Sequence, residues 1–280
     1  MEKFKAYRLT EVDKKIRAEF VACTLEELDP GELLVRVAYS DVNYKDALAA
    51  TGKGRILLRP SCIGGIDLAG TVLSSSVPQF AKGDAVLACG HLIGVKHHGG
   101  YAQYARIPAA WAVKLPKGMT LWDAMAFGTA GYTAGLAIAK MELNGLKPAN
   151  GPVVVDGATG GVGSIAVAAL AKLGYEVTAL TGKEGESAWL KRLGAKDILL
   201  RQSLDFTKIK PLDKAANANG QRRRLDPVGK DLSPLPPTGL APLLRELLAE
   251  YAATGMPPAY LSSAEPNPTS AAAPTPTNPP

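Results

Sequence analysis

Four glycines in seven residues follow a run of β-branched side chains: Val153-Val154-Val155-Asp156 leads into Gly157-Ala158-Thr159-Gly160-Gly161-Val162-Gly163. Ser164 to Leu173 is small and apolar, and Tyr175 to Leu180 reads as a second buried strand. Strand, glycine turn, helix, strand is the order of a βαβ unit that holds a dinucleotide. Each glycine has an expected purpose there. Gly160 permits a tight turn, Gly161 lets the backbone approach a pyrophosphate, and Gly163 lets the helix pack close to the strand. The helix start offers unpaired N–H groups and a positive dipole end to an anion. Gly160, Gly161, Val162 and Gly163 are thus the expected phosphate contacts. A glycine turn of purely structural purpose is the alternative, and the flanking strand and helix weigh against it.

The end of the second strand bears on which dinucleotide. An NAD site usually carries an Asp or Glu about 20 residues past the glycines, where it holds the ribose 2′-hydroxyl. That position reads Thr181-Gly182-Lys183, with Glu184 next. A lysine meets a 2′-phosphate as a compact cation, and a threonine donates a hydroxyl. The expected cofactor is NADPH, with Thr181, Gly182 and Lys183 around its phosphate. Against this, Lys183 could be a solvated loop charge.

The 280 residues suffice for one large or two medium domains, and an apolar fraction of 46% is ordinary for a globular chain. The net charge of +6 suits anionic small molecules, while no Lys/Arg block is long enough to argue for nucleic acid. Cys23, Cys62 and Cys89 are isolated, which argues against a disulfide framework and a structural zinc site. His91, His97 and His98 lack a Cys or Glu partner at ligand spacing and read as loop histidines, so no metal is expected. The N-terminus is not a signal peptide by pattern, and no run of ~18 apolar residues spans a membrane. A reducing cytoplasm is the expected location.

These groups need elements to hold them. Strands are expected at Glu32–Tyr39, Gly65–Leu73, Asp84–Cys89 and Tyr101–Ile107, punctuated by Gly and Pro as in a small barrel. Leu121–Ala139 reads as a helix, with Gly128 and Gly131 where a backbone could approach a ligand. Ser187–Leu193 reads as a short helix closed by Gly194, and Asp197–Leu200 as a third strand. Beyond about residue 215 the character changes: thirteen of the 21 prolines fall in 216–280. The Pro/Ala/Ser/Thr run that closes the chain cannot bury a core, and a disordered tail is expected. Leu240, Leu243, Leu244, Leu247, Leu248 and Tyr251 keep helical spacing, which predicts one amphipathic helix over 238–255, docked on the body or serving a partner.

Taken in order, Asn43-Tyr44-Lys45-Asp46-Ala47-Leu48, Gly64-Gly65-Ile66-Asp67-Leu68-Ala69-Gly70-Thr71, His97-His98-Gly99-Gly100-Tyr101-Ala102, Gly128-Thr129-Ala130-Gly131-Tyr132-Thr133-Ala134 and Gly160-Gly161-Val162-Gly163-Ser164 resemble the zinc-independent medium-chain dehydrogenase/reductases. More narrowly they resemble the acrylyl-CoA reductase branch, often labelled quinone oxidoreductase. The resemblance covers residues 1 to about 214. It implies an α/β chain with a GroES-like β-barrel domain over 1–120 and an incomplete Rossmann (doubly wound parallel sheet) domain over 121–215, followed by the aberrant 216–280. Where zinc relatives carry Gly-His-Glu, this chain reads Gly65-Ile66-Asp67.

The chemistry the resemblance implies is hydride transfer from NADPH to the β-carbon of an activated alkene such as acrylyl-CoA, then protonation at the α-carbon. The alternatives are a quinone reductase or a non-catalytic remnant that at most binds nucleotide. Without a metal, hydrogen bonds must stabilise the enolate. Tyr44 is expected nearest the reacting carbon, as a donor or proton source or only packed on the cofactor ring. Asn43 is expected to orient substrate, and Asp46 to brace the adjacent helix. Implied cofactor contacts are Tyr44, Thr129, Gly160 to Gly163, Thr181 to Lys183, and Arg201.

The same resemblance implies six sheet strands, of which three are evident. Leu225-Asp226-Pro227-Val228-Gly229 is similar to the fourth strand's Asp-x-Val-Gly segment, but its lead-in is too polar for a central strand. A shifted reading frame is the expected origin of the change, with weakened NADPH binding and little turnover as its consequence. Relatives are often homodimeric, through a pairing region expected to be missing here.

Overall fold

The computed structural model describes residues 3–204. The fourth-strand segment at 225–229, the helix over 238–255 and the tail lie outside the described residues.

A hairpin, β1 (Phe4–Val12) and β2 (Lys15–Cys23), precedes the expected strands. Val12 pairs with Lys15, so the turn is two residues long. Asp13 and Lys14 both take positive φ, at 50° and 61°, the twist that a two-residue hairpin requires. Asn-Gly or Asp-Gly is the sequence signal for that turn, and Asp-Lys hides it. β4 (Ser61–Ile63) pairs with the other edge of β1, giving the order β2-β1-β4.

A second, antiparallel sheet follows. It contains β3 (Leu33–Tyr39), β5 (Asp67–Ser75), β6 (Ala85–Cys89), β7 (Tyr104–Ile107) and β8 (Val113–Lys114), in the order β7-β3-β5-β6-β8. Alternating side chains from these strands, Leu33, Val35, Leu68, Val72, Val86, Ala105 and Ile107, are buried in one cluster. α1 (Tyr44–Thr51) sits in the connection after β3, and the left-handed Gly52, φ 68°, closes it.

α2 (Leu121–Leu143) leads into the α/β part. Its backbone breaks at Gly128, with φ 44° and ψ −148°, a conformation only glycine adopts readily. It is therefore two helical stretches in one element. The parallel sheet is built from β9 (Val153–Asp156), β10 (Val177–Thr181) and β11 (Asp197–Leu200), in the order β11-β10-β9. α3 (Gly161–Lys172) and α4 (Ser187–Arg192) are the crossings. Val167, Leu170, Val177, Ala179, Leu190 and Ile138 form its core. Among the described residues β9 is an edge strand, with Val154 58% exposed.

Several expected bounds shift. α3 begins at Gly161 rather than Ser164, because the last glycines of the motif are already helical, with Gly160 as N-cap. α2 runs four residues past Ala139, to Leu143. Gly194, at φ 103°, closes α4 as expected, its N–H donating to the Lys191 carbonyl.

Candidate functional site

The glycine turn hangs from the C-terminal end of β9. The tight turn itself lies at Gly157, with φ 63°, whereas Gly160 has an ordinary φ of −81°. This corrects the role expected of Gly160. Gly163 is needed inside the turn: a Cβ there would lie 2.3 Å from the Gly157 carbonyl oxygen. A Cβ on Gly161 would meet Ala130 of α2 at 3.3 Å, so the start of α3 is seated against α2. The helix start presents backbone N–H groups beyond Gly160, as an anion site requires.

Around this turn stand the groups at the ends of β10 and β11. Thr181 is 1% exposed; its Oγ1 accepts the Lys183 amide at 3.0 Å and lies 3.4 Å from Thr159 Oγ1. It braces the loop that carries Gly182 and Lys183, both exposed. No carboxylate ends β10, as the chain there reads Thr181-Gly182-Lys183. Arg201 follows β11 and donates to Asp156 Oδ1 at 2.9 Å, and that oxygen also accepts the Gly157 amide at 2.7 Å. Asp156 ends β9 beside the turn, and Arg201 sets a positive charge against it.

The other wall comes from the β-rich part. Tyr44 is the first residue of α1, and its side chain is 80% exposed. Asp46 is buried; its Oδ2 accepts the Asn43 amide at 2.9 Å and its Oδ1 the Ile66 amide at 3.1 Å, the bracing role expected of it. Burial pushes the Asp46 carboxyl above its ordinary value, and it does the same to Asp41 with a further push from Asp67. Tyr101 donates its hydroxyl to the Asp41 carbonyl at 3.0 Å, and burial first, then Asp46, hold that phenol well above its usual range.

Asp67 joins the two walls, and the sequence reading gave it no role beyond standing where zinc relatives carry Glu. It is fully buried. Its Oδ1 accepts the Asp41 amide at 3.0 Å. Its Oδ2 accepts Asn43 Nδ2 at 2.9 Å, the Thr129 amide at 3.0 Å and Thr129 Oγ1 at 2.6 Å. Asn43 and Thr129 are thus brought together through one carboxylate. A Cβ on Gly128 would lie 3.2 Å from both Asp41 Oδ2 and Asp67 Oδ2. The expected ligand approach at Gly128 is taken up by carboxylates, and that at Gly131 by the Phe127 ring and Cβ, with Cβ 2.8 Å away. The signal that could have found Asp67 is a carboxylate opening an otherwise apolar buried strand.

The histidines have protein partners. His98 Nδ1 accepts the Ile63 amide at 3.0 Å, and His98 N donates to Asp29 Oδ2 at 2.6 Å. Burial pulls its imidazole down to about 4, with Asp29 opposing. His91 stacks on Trp111, with ring centroids 5.3 Å apart.

An antiparallel β-rich part with a glycine-crossed parallel unit behind it is the arrangement of the alcohol dehydrogenase type. Residues 29–117 match the alcohol dehydrogenase GroES-like domain. Beyond that domain the chain is similar to proteins named as acrylyl-CoA reductases and quinone oxidoreductases. It is 45% identical over 199 residues to the acrylyl-CoA reductase AcuI of Ruegeria pomeroyi, covering 71% of this chain and 60% of that one. The yhdH oxidoreductase of Salmonella enterica, solved in complex with NADP, is 46% identical with a TM-score of 0.69, over 72% of this chain and 62% of that one. The Bacillus subtilis protein yhfP, solved with NAD bound, is 42% identical with a TM-score of 0.72, over 75% and 64%. The chain spans 60–64% of the length of three curated relatives that it matches.

Proposed function

We propose that this chain derives from an NADPH-dependent reductase of activated alkenes such as acrylyl-CoA, and that the present polypeptide binds NADPH weakly and turns over little. One observation carries the nucleotide reading: α3 starts on a glycine turn so close that a Cβ at Gly163 would fall 2.3 Å from a backbone oxygen. Such a cradle has room for an anion against backbone N–H groups and none for side chains. The residues present fit a dinucleotide. Gly160, Gly161, Val162 and Gly163 would hold the pyrophosphate. Gly182 and Lys183, on the loop braced by Thr181, would take the 2′-phosphate, with Arg201 at the adenine end. Thr129 and Tyr44 would face the nicotinamide.

When bound, NADPH supplies the hydride for the alkene's β-carbon. The chain's own part is to hold the acceptor and manage a proton. The Tyr44 phenol, exposed at the start of α1, would donate to the thioester oxygen or deliver the α-carbon proton. Asn43 would orient the acceptor from the preceding position. The change of composition beyond about residue 215 supports impairment, because thirteen of the 21 prolines lie there and proline cannot donate to a sheet ladder. Three free buried thiols support a reducing, cytoplasmic setting.

The test is fluorescence titration of the purified, folded chain with NADPH and NADH, followed by NADPH oxidation with acrylyl-CoA and with a quinone. NADPH binding tighter than NADH supports the 2′-phosphate reading, and equal affinity removes it. Turnover with the quinone alone would favour the quinone reductase alternative. Acrylyl-CoA reduction at an ordinary enzymatic rate would overturn the impairment.

A further inference from the structure

Four hydrogen-bond donors converge on Asp67, from three residues in two separate segments of the chain. The Asp41 amide and the Asn43 side chain belong to the loop before α1, while the Thr129 amide and hydroxyl open the second stretch of α2. Donors without an acceptor are the pattern that a carboxylate fits and a carboxamide does not, since one end of a carboxamide is itself a donor. Among the described residues no cationic side chain pairs with Asp67. Its countercharge is the N-terminus of the helical stretch that restarts after Gly128, with Thr129 N–H pointing at it. The residue next to Thr129 is Ala130, and Ala130 is the group against which Gly161, the first residue of α3, is seated. A continuous line of contact therefore runs from Asn43 through Asp67, Thr129 and Ala130 to the glycine turn.

We propose that Asp67 is a positioning residue that fixes the Asn43–Tyr44 loop relative to the phosphate-binding turn, acting as an N-cap supplied from β5 to the broken helix α2. It touches neither acceptor nor cofactor. Its carboxylate holds together two segments that would otherwise move separately. This rests on the reading of the glycine turn as a nucleotide site only for the binding arm of the test.

The variants are Asp67→Asn, Thr129→Val, Thr129→Ser and the double variant Asp67→Asn/Thr129→Val, made in the full chain. Hydrogen exchange is followed by mass spectrometry without nucleotide, and NADPH affinity by fluorescence. In Asp67→Asn, peptides covering 41–51 and 128–136 should both exchange about tenfold faster or more, the factor that loss of a buried hydrogen bond implies. Exchange in the β1–β2 hairpin should stay as in the parent chain. Thr129→Val should show the same paired change more weakly, and Thr129→Ser, which keeps the hydroxyl, should not. NADPH affinity should fall in Asp67→Asn, and the double variant should fall by less than the product of the single effects. Faster exchange in only one of the two segments, or equal loosening of the whole chain in both Asp67→Asn and Thr129→Val, would overturn the proposal. If Asp67→Asn does not fold, Thr129→Val decides it by the same paired readout. If the parent chain binds no NADPH, the functional reading fails, and the exchange measurements still decide the role of Asp67.

Discussion

Replacing Gly163 by alanine puts a methyl carbon 2.3 Å from the Gly157 carbonyl oxygen and 2.8 Å from both Ala158 Cα and the Gly157 carbonyl carbon. Carbon atoms pack at about 3.5–4.0 Å, so the turn must open by roughly 1 Å. All three neighbours are backbone, and no side chain can swing away to absorb the clash. Overpacking of this kind costs about 1–3 kcal/mol. The displaced atoms are those of the turn itself, so the same movement distorts the proposed phosphate cradle. The expected outcome is a loss of about 1–3 kcal/mol in urea unfolding. NADPH affinity should weaken by about tenfold or more, since each 1.4 kcal/mol is roughly a factor of ten. Gly160→Ala is the control. Gly160 has φ −81°, and its nearest neighbour to an added Cβ is the Gly157 oxygen at 3.2 Å, so a shift of a few tenths of an ångström suffices. Its effect on both measurements should be several times smaller. Gly163→Ala protein that binds NADPH like the parent chain, or Gly160→Ala protein damaged equally, would refute this account of the turn.

His98 makes stability pH-dependent. Its imidazole sits at about 4 in the fold against an ordinary 6.5, so between those values the unfolded chain binds the extra proton and stability falls as pH falls. At about 1.4 kcal/mol per pH unit the gap is worth on the order of 3 kcal/mol. His98→Asn, whose carbonyl can still accept the Ile63 amide, should flatten that slope in urea unfolding at pH 7 and pH 4. Leu170→Ala, at a site 1% exposed, should cost about 2–5 kcal/mol by the same assay, and a neutral result would mean α3 is not packed as described. Lys183→Ala should weaken NADPH by about tenfold and leave NADH unchanged. An equal loss for both nucleotides in titration would place Lys183 away from the 2′-phosphate.

The βαβ unit was readable because its evidence is local. Val153 to Asp156, the glycines and the small apolar helix are contiguous, and each residue's conformational preference agrees with its neighbours'. Even so, the positive φ fell on Gly157 rather than Gly160, a difference of three residues within one motif. The β1–β2 hairpin escaped the reading because Asp13 and Lys14 adopt left-handed conformations that their types do not advertise. The broken helix escaped it for a related reason, since Leu121 to Leu143 carries Gly128, Gly131 and Gly135, and only Gly128 leaves helical φ/ψ.

Residue types alone were enough for the glycine turn between β9 and α3, the absence of a carboxylate at the end of the second parallel strand, and the Asp46 brace on Asn43. These depend on residues within a few positions of one another, where the backbone's own preferences decide. The surroundings of Asp67 came from packing. Its four donors arrive from residues 41, 43 and 129, and burial turns four ordinary polar groups into an obligatory set around one carboxylate. Pairings between positions so far apart follow from how sheet and helix pack, and no local pattern of residue types records them.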